Sequence, residues 1–203
     1  MFSPQFSQLA ERLAASDNDG WEIHERALAM QREGGDVILL SVGDPDFRTP
    51  EPIVDNAVSY LRVGRTHYSP SLGELKLRRA VADLETATSP YPCDVDEVAI
   101  FPGATAAIYA VMACLLDDGQ EIVIPEPMYV GYAPIMRALN LRVKTVPLNA
   151  KAAFTVDIDL LKAAIGEDTR VLFLNTPGNP TGSIIPRGQL RDLADYCRER
   201  DVW

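Results

Sequence analysis

The chain has 203 residues, and its 29 acidic against 19 basic side chains give a formal net charge of −10. That sign argues against a nucleic-acid surface or an anionic membrane patch, both of which reward clustered Lys and Arg, although a local pocket for a small anion stays open. A hydrophobic fraction of 47% and a charged fraction of 24% are those of an ordinary globular chain, long enough for one large domain or a domain with an appendage.

In chain order, residues 4–15 and 20–33 have helical spacing, the second through Trp21, Ile23, Ala27, Leu28 and Met30 and stopped by Gly34-Gly35. A short strand is predicted over 37–42, running into the polar turn GDPDFRTP. Pro52 suits the first turn of a helix over 52–63, and Gly64 ends it. A further helix is predicted over 72–84. An alternation follows: strand 97–101, helix 104–116, strand 121–125, helix 130–139, strand 142–148, helix 157–165, strand 170–174 and helix 186–200. Apolar strands separated by helices predict an α/β domain with a largely parallel sheet.

In such sheets ligands sit beyond the carboxyl ends of the strands. Three successive strand ends carry PGAT, PEPMYVGY and NTPGNPTG. The last holds two Asn, two Thr, two Pro and two Gly. Turn chemistry alone can account for it, because Pro fixes φ and Gly supplies positive φ. The other reading is that Asn175 or Asn179 is held rigid to touch a ligand, and three such loops on one edge weigh toward it. Gly103-Ala104-Thr105 opens a helix of small residues whose free N–H groups could hold a phosphate, or could be simple helix geometry. Tyr129 and Tyr132 flank Val130-Gly131, where an aromatic could cover a flat ligand or pack a loop corner. His67 and Tyr68 fall in a loop that ordinarily reads as surface. No Gly-x-Gly-x-x-Gly and no Walker-type Gly-Lys-Ser/Thr occurs.

Cys93, Cys114 and Cys197 form no C-x-x-C, and His24 and His67 form no metal-ligand pattern, so three reduced thiols in a cytoplasmic protein are expected. The first sixteen residues lack the pattern of a signal peptide, and no apolar stretch approaches the ~20 residues that span a bilayer. The expectation is a soluble chain without membrane or nucleic-acid partners.

Taken together, SVGDPDFRTP (41–50), THYSPSLGELKLR (66–78), FPGATAAIYAVMACLLDDGQEIVIPEPMYVGY (101–132) and NTPGNPTG (175–182) resemble the class I/II aminotransferases, pyridoxal-phosphate enzymes of fold type I. Within that family, WEIHERAL, SVGDPDF and EPMYVGY look most like the arginine–pyruvate branch. The resemblance implies an incomplete large domain of that fold over 43–203, with residues 1–42 an N-terminal arm and part of the small domain. It gives Asn179 the phenolic oxygen of pyridoxal 5′-phosphate and gives Gly103, Ala104 and Thr105 its phosphate. Tyr129 would stack on the ring, and Tyr68 would reach the phosphate of a neighbouring subunit in a homodimer. Gly43 would lie beside the substrate carboxylate. The implied reaction moves an amino group from an L-amino acid, arginine in that branch, to a 2-oxo acid such as pyruvate. A C–S lyase of the same fold shares these loops, and a non-catalytic relic or binding module is the alternative from outside enzymology.

The resemblance also marks what is missing. The family's lysine lies in a Ser-x-x-Lys setting, and none of Lys76, Lys144, Lys151 and Lys162 does. The carboxylate for the ring nitrogen and the arginine for the substrate carboxylate are also absent. No catalytic residue is therefore assigned, and the chain is expected to be inactive and poorly stable alone, as the amino-terminal half of a transaminase. Lys76, in ELKLR, stands where the family usually has Glu, and Arg48 replaces an acidic or neutral turn residue; both read as solvated surface positions.

Overall fold

The computed structural model describes residues 5–14 and 21–203. By their contacts these residues group into two compact units, one built of residues 21–103 and the other of 104–203 with the amino-terminal helix.

The second unit carries the sheet. Strands β1 (Glu121–Glu126), β2 (Arg142–Pro147) and β3 (Thr169–Leu172) pair in the order β2-β1-β3, both pairs parallel. Parallel neighbours need long crossovers, and here α6 (Tyr132–Ala138) links β1 to β2 while α7 (Ile158–Ala164) links β2 to β3. The period of two along a strand sorts the apolar side chains onto both faces of the central strand. Val123 packs with Val146, Leu161, Ile185, Leu193 and Cys197, under α7 and α8 (Arg187–Arg198). Ile122 and Ile124 point the other way, toward Met112 and Leu116 of α5 (Ala104–Leu115) and its following turn, and toward Met136 of α6. Ile122 and Val123 are fully buried, as a strand covered on both faces requires, and so is Leu161 of α7. Residues 202 and 203 lie along the free side of β3: Trp203 N–H donates to Arg170 O at 2.9 Å, and Leu172 N–H donates to Trp203 O at 2.8 Å.

Helix α1 (Gln8–Ala14) packs on α6. The Arg12 guanidinium donates to Arg137 O at 3.3 Å and to Ala138 O at 3.1 Å, satisfying carbonyls that a helix C-terminus leaves without internal partners.

The unit of residues 21–103 holds α2 (Glu22–Arg32), α3 (Glu51–Arg62) and α4 (Leu75–Thr88). Its centre is Arg78, buried on α4, whose guanidinium donates to Val98 O at 2.8 Å and Val95 O at 2.7 Å and pairs with Asp96 at 3.0 Å. Pro52 sits in the first turn of α3, and Gly64, at φ 76, closes that helix with a bond to Leu61 O, both as predicted.

The strands at 121–125, 142–148 and 170–174 and the helices flanking them match the sequence reading within two or three residues. The predicted strands at 37–42 and 97–101 do not form. A strand requires a partner ladder, and neither segment finds one among the described residues: Ile100 N–H bonds to the loop carbonyl of Leu72, and Ile38 and Leu40 stand in solvent. Their apolar composition is that of strands, but composition does not supply the partner.

Among the described residues no helix is long and apolar enough to cross a membrane, and no cluster of three or more metal-ligating side chains occurs. The three cysteines are free thiols. Desolvation raises the pKa of Cys197, opposed by Arg200; desolvation, then Glu97, Glu85 and Asp94, raise that of Cys93.

Candidate cofactor site

The loops after β1 and β3 leave the sheet side by side, because those strands are hydrogen-bonded neighbours running in the same direction. Between them lies a small hollow of about 30 Å³. Pro127 and Met128 line it from the first loop, Tyr132 from the start of α6, and Asn175, Asn179 and Thr181 from the second loop.

The second loop is braced from within. Gly178 N–H donates to Ser183 O at 2.8 Å, Gly182 N–H to Gly178 O at 2.6 Å, and the Thr181 and Ser183 hydroxyls lie 2.8 Å apart. Gly182 adopts φ 69, and Gly178 has no room for a side chain: a Cβ there would come within 2.9 Å of Thr181 Oγ1. At the base, buried Ile185 donates its N–H to Thr176 Oγ1 at 2.9 Å, tying the loop to the core. With the loop's own groups so occupied, Asn175 and Asn179 are exposed, and neither amide bonds to another described residue. The loop is thus braced as turn chemistry requires, and it presents both asparagine amides to solvent. Replacing Thr176 by Val, which keeps the shape and removes the acceptor, is expected to cost about 1–2 kcal/mol in denaturant melts by leaving the Ile185 N–H unsatisfied.

Tyr129 does not line the hollow itself. Its ring meets that of Tyr132 edge-on, centroids 5.3 Å apart at 77°, and Tyr132 meets Phe173 in the same way at 4.8 Å and 78°. Desolvation, then Tyr129, raise the pKa of the Tyr132 hydroxyl above its ordinary value.

The amino-terminal end of α5 supplies the third element. Ile108, in its second turn, packs in the same cluster as Met128, Tyr132 and Phe173. Only five residues separate α5 from β1, so the helix must return against the strand and bring its first turn to the edge where β1 ends. Ala104 and Thr105 are exposed there, and the first N–H groups of an α-helix have no internal acceptors. Gly103 precedes them at φ 100, a conformation open to Gly at little cost.

Thus Ala104, Thr105, Tyr129 and Asn179 all belong to the sheet-bearing unit, at the helix start and strand ends that face one edge. Gly43 and Tyr68 belong to the other unit, where both are exposed, Tyr68 entirely. Phe173 and Thr176 were not singled out from sequence. The alternation in RVLFLN carried the signal for Phe173, since it shares the face of Val171, whereas the hydroxyl bond of Thr176 had no sequence signal beyond loop composition.

None of the four lysines is among the residues that line the hollow. Lys144 Nζ donates to Ala164 O at 2.6 Å, Lys162 pairs with Asp192 at 2.7 Å, Lys76 is on α4, and Lys151 is in a 3-10 turn after β2.

A sequence profile described as aminotransferase class I and II matches residues 35–203. The chain belongs to this family. Curated relatives include an arginine–pyruvate transaminase of Pseudomonas aeruginosa, 40% identical over 199 residues, covering 98% of this chain and 51% of that protein. An aspartate aminotransferase of Pyrococcus abyssi is 36% identical over 168 residues, covering 82% and 43% respectively. Among solved structures, an aspartate aminotransferase of Thermus thermophilus with maleate superimposes with a TM-score of 0.91 at 28% identity, over 99% of this chain and 52% of that one. The chain thus spans about half the length of the relatives it matches, and its architecture is the fold-type I arrangement of helices on a parallel sheet.

The donor set suits the cofactor of this family. An exposed helix start can meet a dianionic phosphate without a cationic side chain, a free amide can meet a phenolic oxygen, and an edge-braced aromatic can cover a ring.

Proposed function

We propose that this chain forms the phosphate-binding and ring-binding part of a pyridoxal 5′-phosphate site in an aminotransferase. The observation that carries the reading is the exposed, unbonded Asn179 amide on a loop braced by its own Gly, Thr and Ser groups, at the strand end next to the one that carries the Tyr129 loop. When bound, pyridoxal phosphate supplies an aldehyde that takes up the amino group and a ring that accepts the electron pair freed at the substrate's α-carbon.

The residues of this chain orient that group. Amides of Ala104 and Thr105, with the Thr105 hydroxyl, hold the phosphate at the positive end of α5, and Gly103 lets it approach the backbone. The Asn179 amide donates to the phenolic oxygen and so favours its ionised form. The Tyr129 ring covers one face and keeps water from it. Gly43, lacking a side chain, leaves space for the substrate carboxylate, and Tyr68 reaches the phosphate site of a second subunit in a homodimer. Residues 1–42 act as an arm and part of a second domain, and 43–203 as the first portion of the cofactor domain. The substrates proposed are an L-amino acid, arginine foremost, and a 2-oxo acid such as pyruvate. The 40% identity to a protein named arginine–pyruvate transaminase supports that choice.

None of the four lysines stands in the family's Ser-x-x-Lys setting, and on this reading the chain binds the cofactor without bonding to it and does not turn over alone. Titration with pyridoxamine 5′-phosphate, which carries no aldehyde, is expected to give saturable binding that inorganic phosphate weakens. Borohydride reduction of the chain mixed with pyridoxal phosphate is expected to label no single lysine. Absence of saturable binding would overturn the reading. Joined to the carboxyl-terminal half of an arginine–pyruvate transaminase, the chain is expected to form alanine from pyruvate with arginine in preference to aspartate. Release of thiol from cysteine conjugates without alanine formation would indicate a lyase instead.

A further inference from the structure

Tyr129, Tyr132 and Phe173 form a row of rings that crosses from one strand end to the next. Tyr129 stands in the loop after β1, Tyr132 opens α6, and Phe173 continues β3. Phe173 is locked to the sheet, its N–H donating to Val123 O at 2.9 Å. Tyr132 is locked by its helix, whose Ile135 and Met136 are buried against the core. Tyr129 has neither anchor. Its ring meets the edge of Tyr132 at a centroid distance of 5.3 Å and lies over the open backbone of Gly131, where an added Cβ would lie 3.1 Å from two ring atoms.

The chain of contact runs therefore from the sheet through Phe173 and Tyr132 to Tyr129. Phe173 is also two residues before Asn175, so the same row connects the aromatic loop to the asparagine loop. We infer that Tyr132 is a positioning residue that holds the plane of Tyr129 in register with the asparagine loop and thereby sets how tightly a flat phosphorylated ligand is held. This rests on the reading in which Tyr129 covers such a ligand. A ring already held in its bound orientation loses less freedom on binding, so bracing Tyr129 raises affinity beyond whatever Tyr132 itself lends to the wall of the hollow. An edge-to-face pair needs the ring and not the hydroxyl, and Tyr132 forms two such pairs.

The test is a set of pyridoxamine 5′-phosphate titrations on the full chain, each variant checked first for parental far-ultraviolet circular dichroism. Tyr132→Phe is expected to bind within two-fold of the parent. Tyr132→Leu is expected to bind about five-fold more weakly, the size of an edge-on aromatic contact. In a Tyr129→Leu background, Tyr132→Leu is expected to cause no further loss, because its effect runs through Tyr129; a general weakening of the fold would persist there. Should Tyr132→Leu fail to fold, Phe173→Leu removes the other end of the brace, with about a three-fold loss expected that also vanishes in the Tyr129→Leu background. Three results would overturn the inference: parental affinity in Tyr132→Leu, or in Phe173→Leu where that stands in for it; an undiminished loss in the Tyr129→Leu background; or a Tyr132→Phe loss as large as that of Tyr132→Leu. Parental failure to bind instead removes the functional reading on which it rests, so the two failures are told apart by the parent alone.

Discussion

Asn179→Ala is expected to weaken pyridoxamine 5′-phosphate binding by roughly ten-fold to a hundred-fold while leaving the unfolding midpoint close to that of the parent. The size follows from the partner. A hydrogen bond to an ionised oxygen contributes about 1.5–3 kcal/mol, and about 1.4 kcal/mol is a factor of ten in affinity. The insensitivity of the fold follows from the loop. Gly178, Thr181, Gly182 and Ser183 bond among themselves, and Thr176 ties the loop to Ile185, so the Asn179 side chain contributes no bond to its own support. Exposed positions of this kind change stability by about 0.5 kcal/mol or less. Asn179→Asp sharpens the test. It keeps the shape but sets a carboxylate against a developing phenolate, and it is expected to bind more weakly still, with the deficit shrinking at low pH as the carboxylate is protonated. Calorimetric titration beside thermal melts checks both. Parental affinity in Asn179→Ala would detach NTPGNPTG from the ligand and leave it a turn.

How far the sequence reveals this arrangement depends on where the information resides. The strands β1, β2 and β3 are legible because each is a short apolar run between turn residues and each finds its partner within the chain. The loops at their ends are legible because Pro, Gly and Asn carry conformational instructions locally. Segments 37–42 and 97–101 have the composition of strands and remain unpaired, since pairing is a property of two segments and the letters describe only one. The position of Tyr129 lies outside sequence reasoning for a similar reason: EPMYVGY states that two tyrosines are close, but not that one braces the other against Phe173, forty-one residues after Tyr132. Asn179 is the intermediate case. Its loop predicted rigidity, the family resemblance supplied the role, and only the hydrogen bonds of Thr176 and Thr181 explain why its amide is left free.

The same contrast between paired and unpaired segments sets the largest expected effect on stability. Leu161 is fully inaccessible, in the cluster joining α7 and α8 to the sheet, and Leu161→Ala is expected to cost about 2–5 kcal/mol through lost burial and the cavity left behind. Natural domains are stable by only about 5–15 kcal/mol, so that single change removes much of the margin of the sheet-bearing unit. Leu40→Ala, at a position 90% exposed, is expected to change it by less than about 0.5 kcal/mol. Within residues 21–103 the described buried side chains are Arg78, Ala82 and Val98, whereas Ile53, Val54, Val58 and Leu61 of α3 lie open to water. A unit with so little apolar burial has little to offset the entropy of ordering its chain, and it is expected to open independently of the sheet. Hydrogen exchange should therefore be slow at Ile122, Val123 and Leu161 and fast across most of 21–103. Leu161→Ala should accelerate only the first group. Equal protection in both groups, or a single sharp melt shared by them and untouched by Leu161→Ala, would show that the exposed face of α3 is stabilised by something other than its own packing.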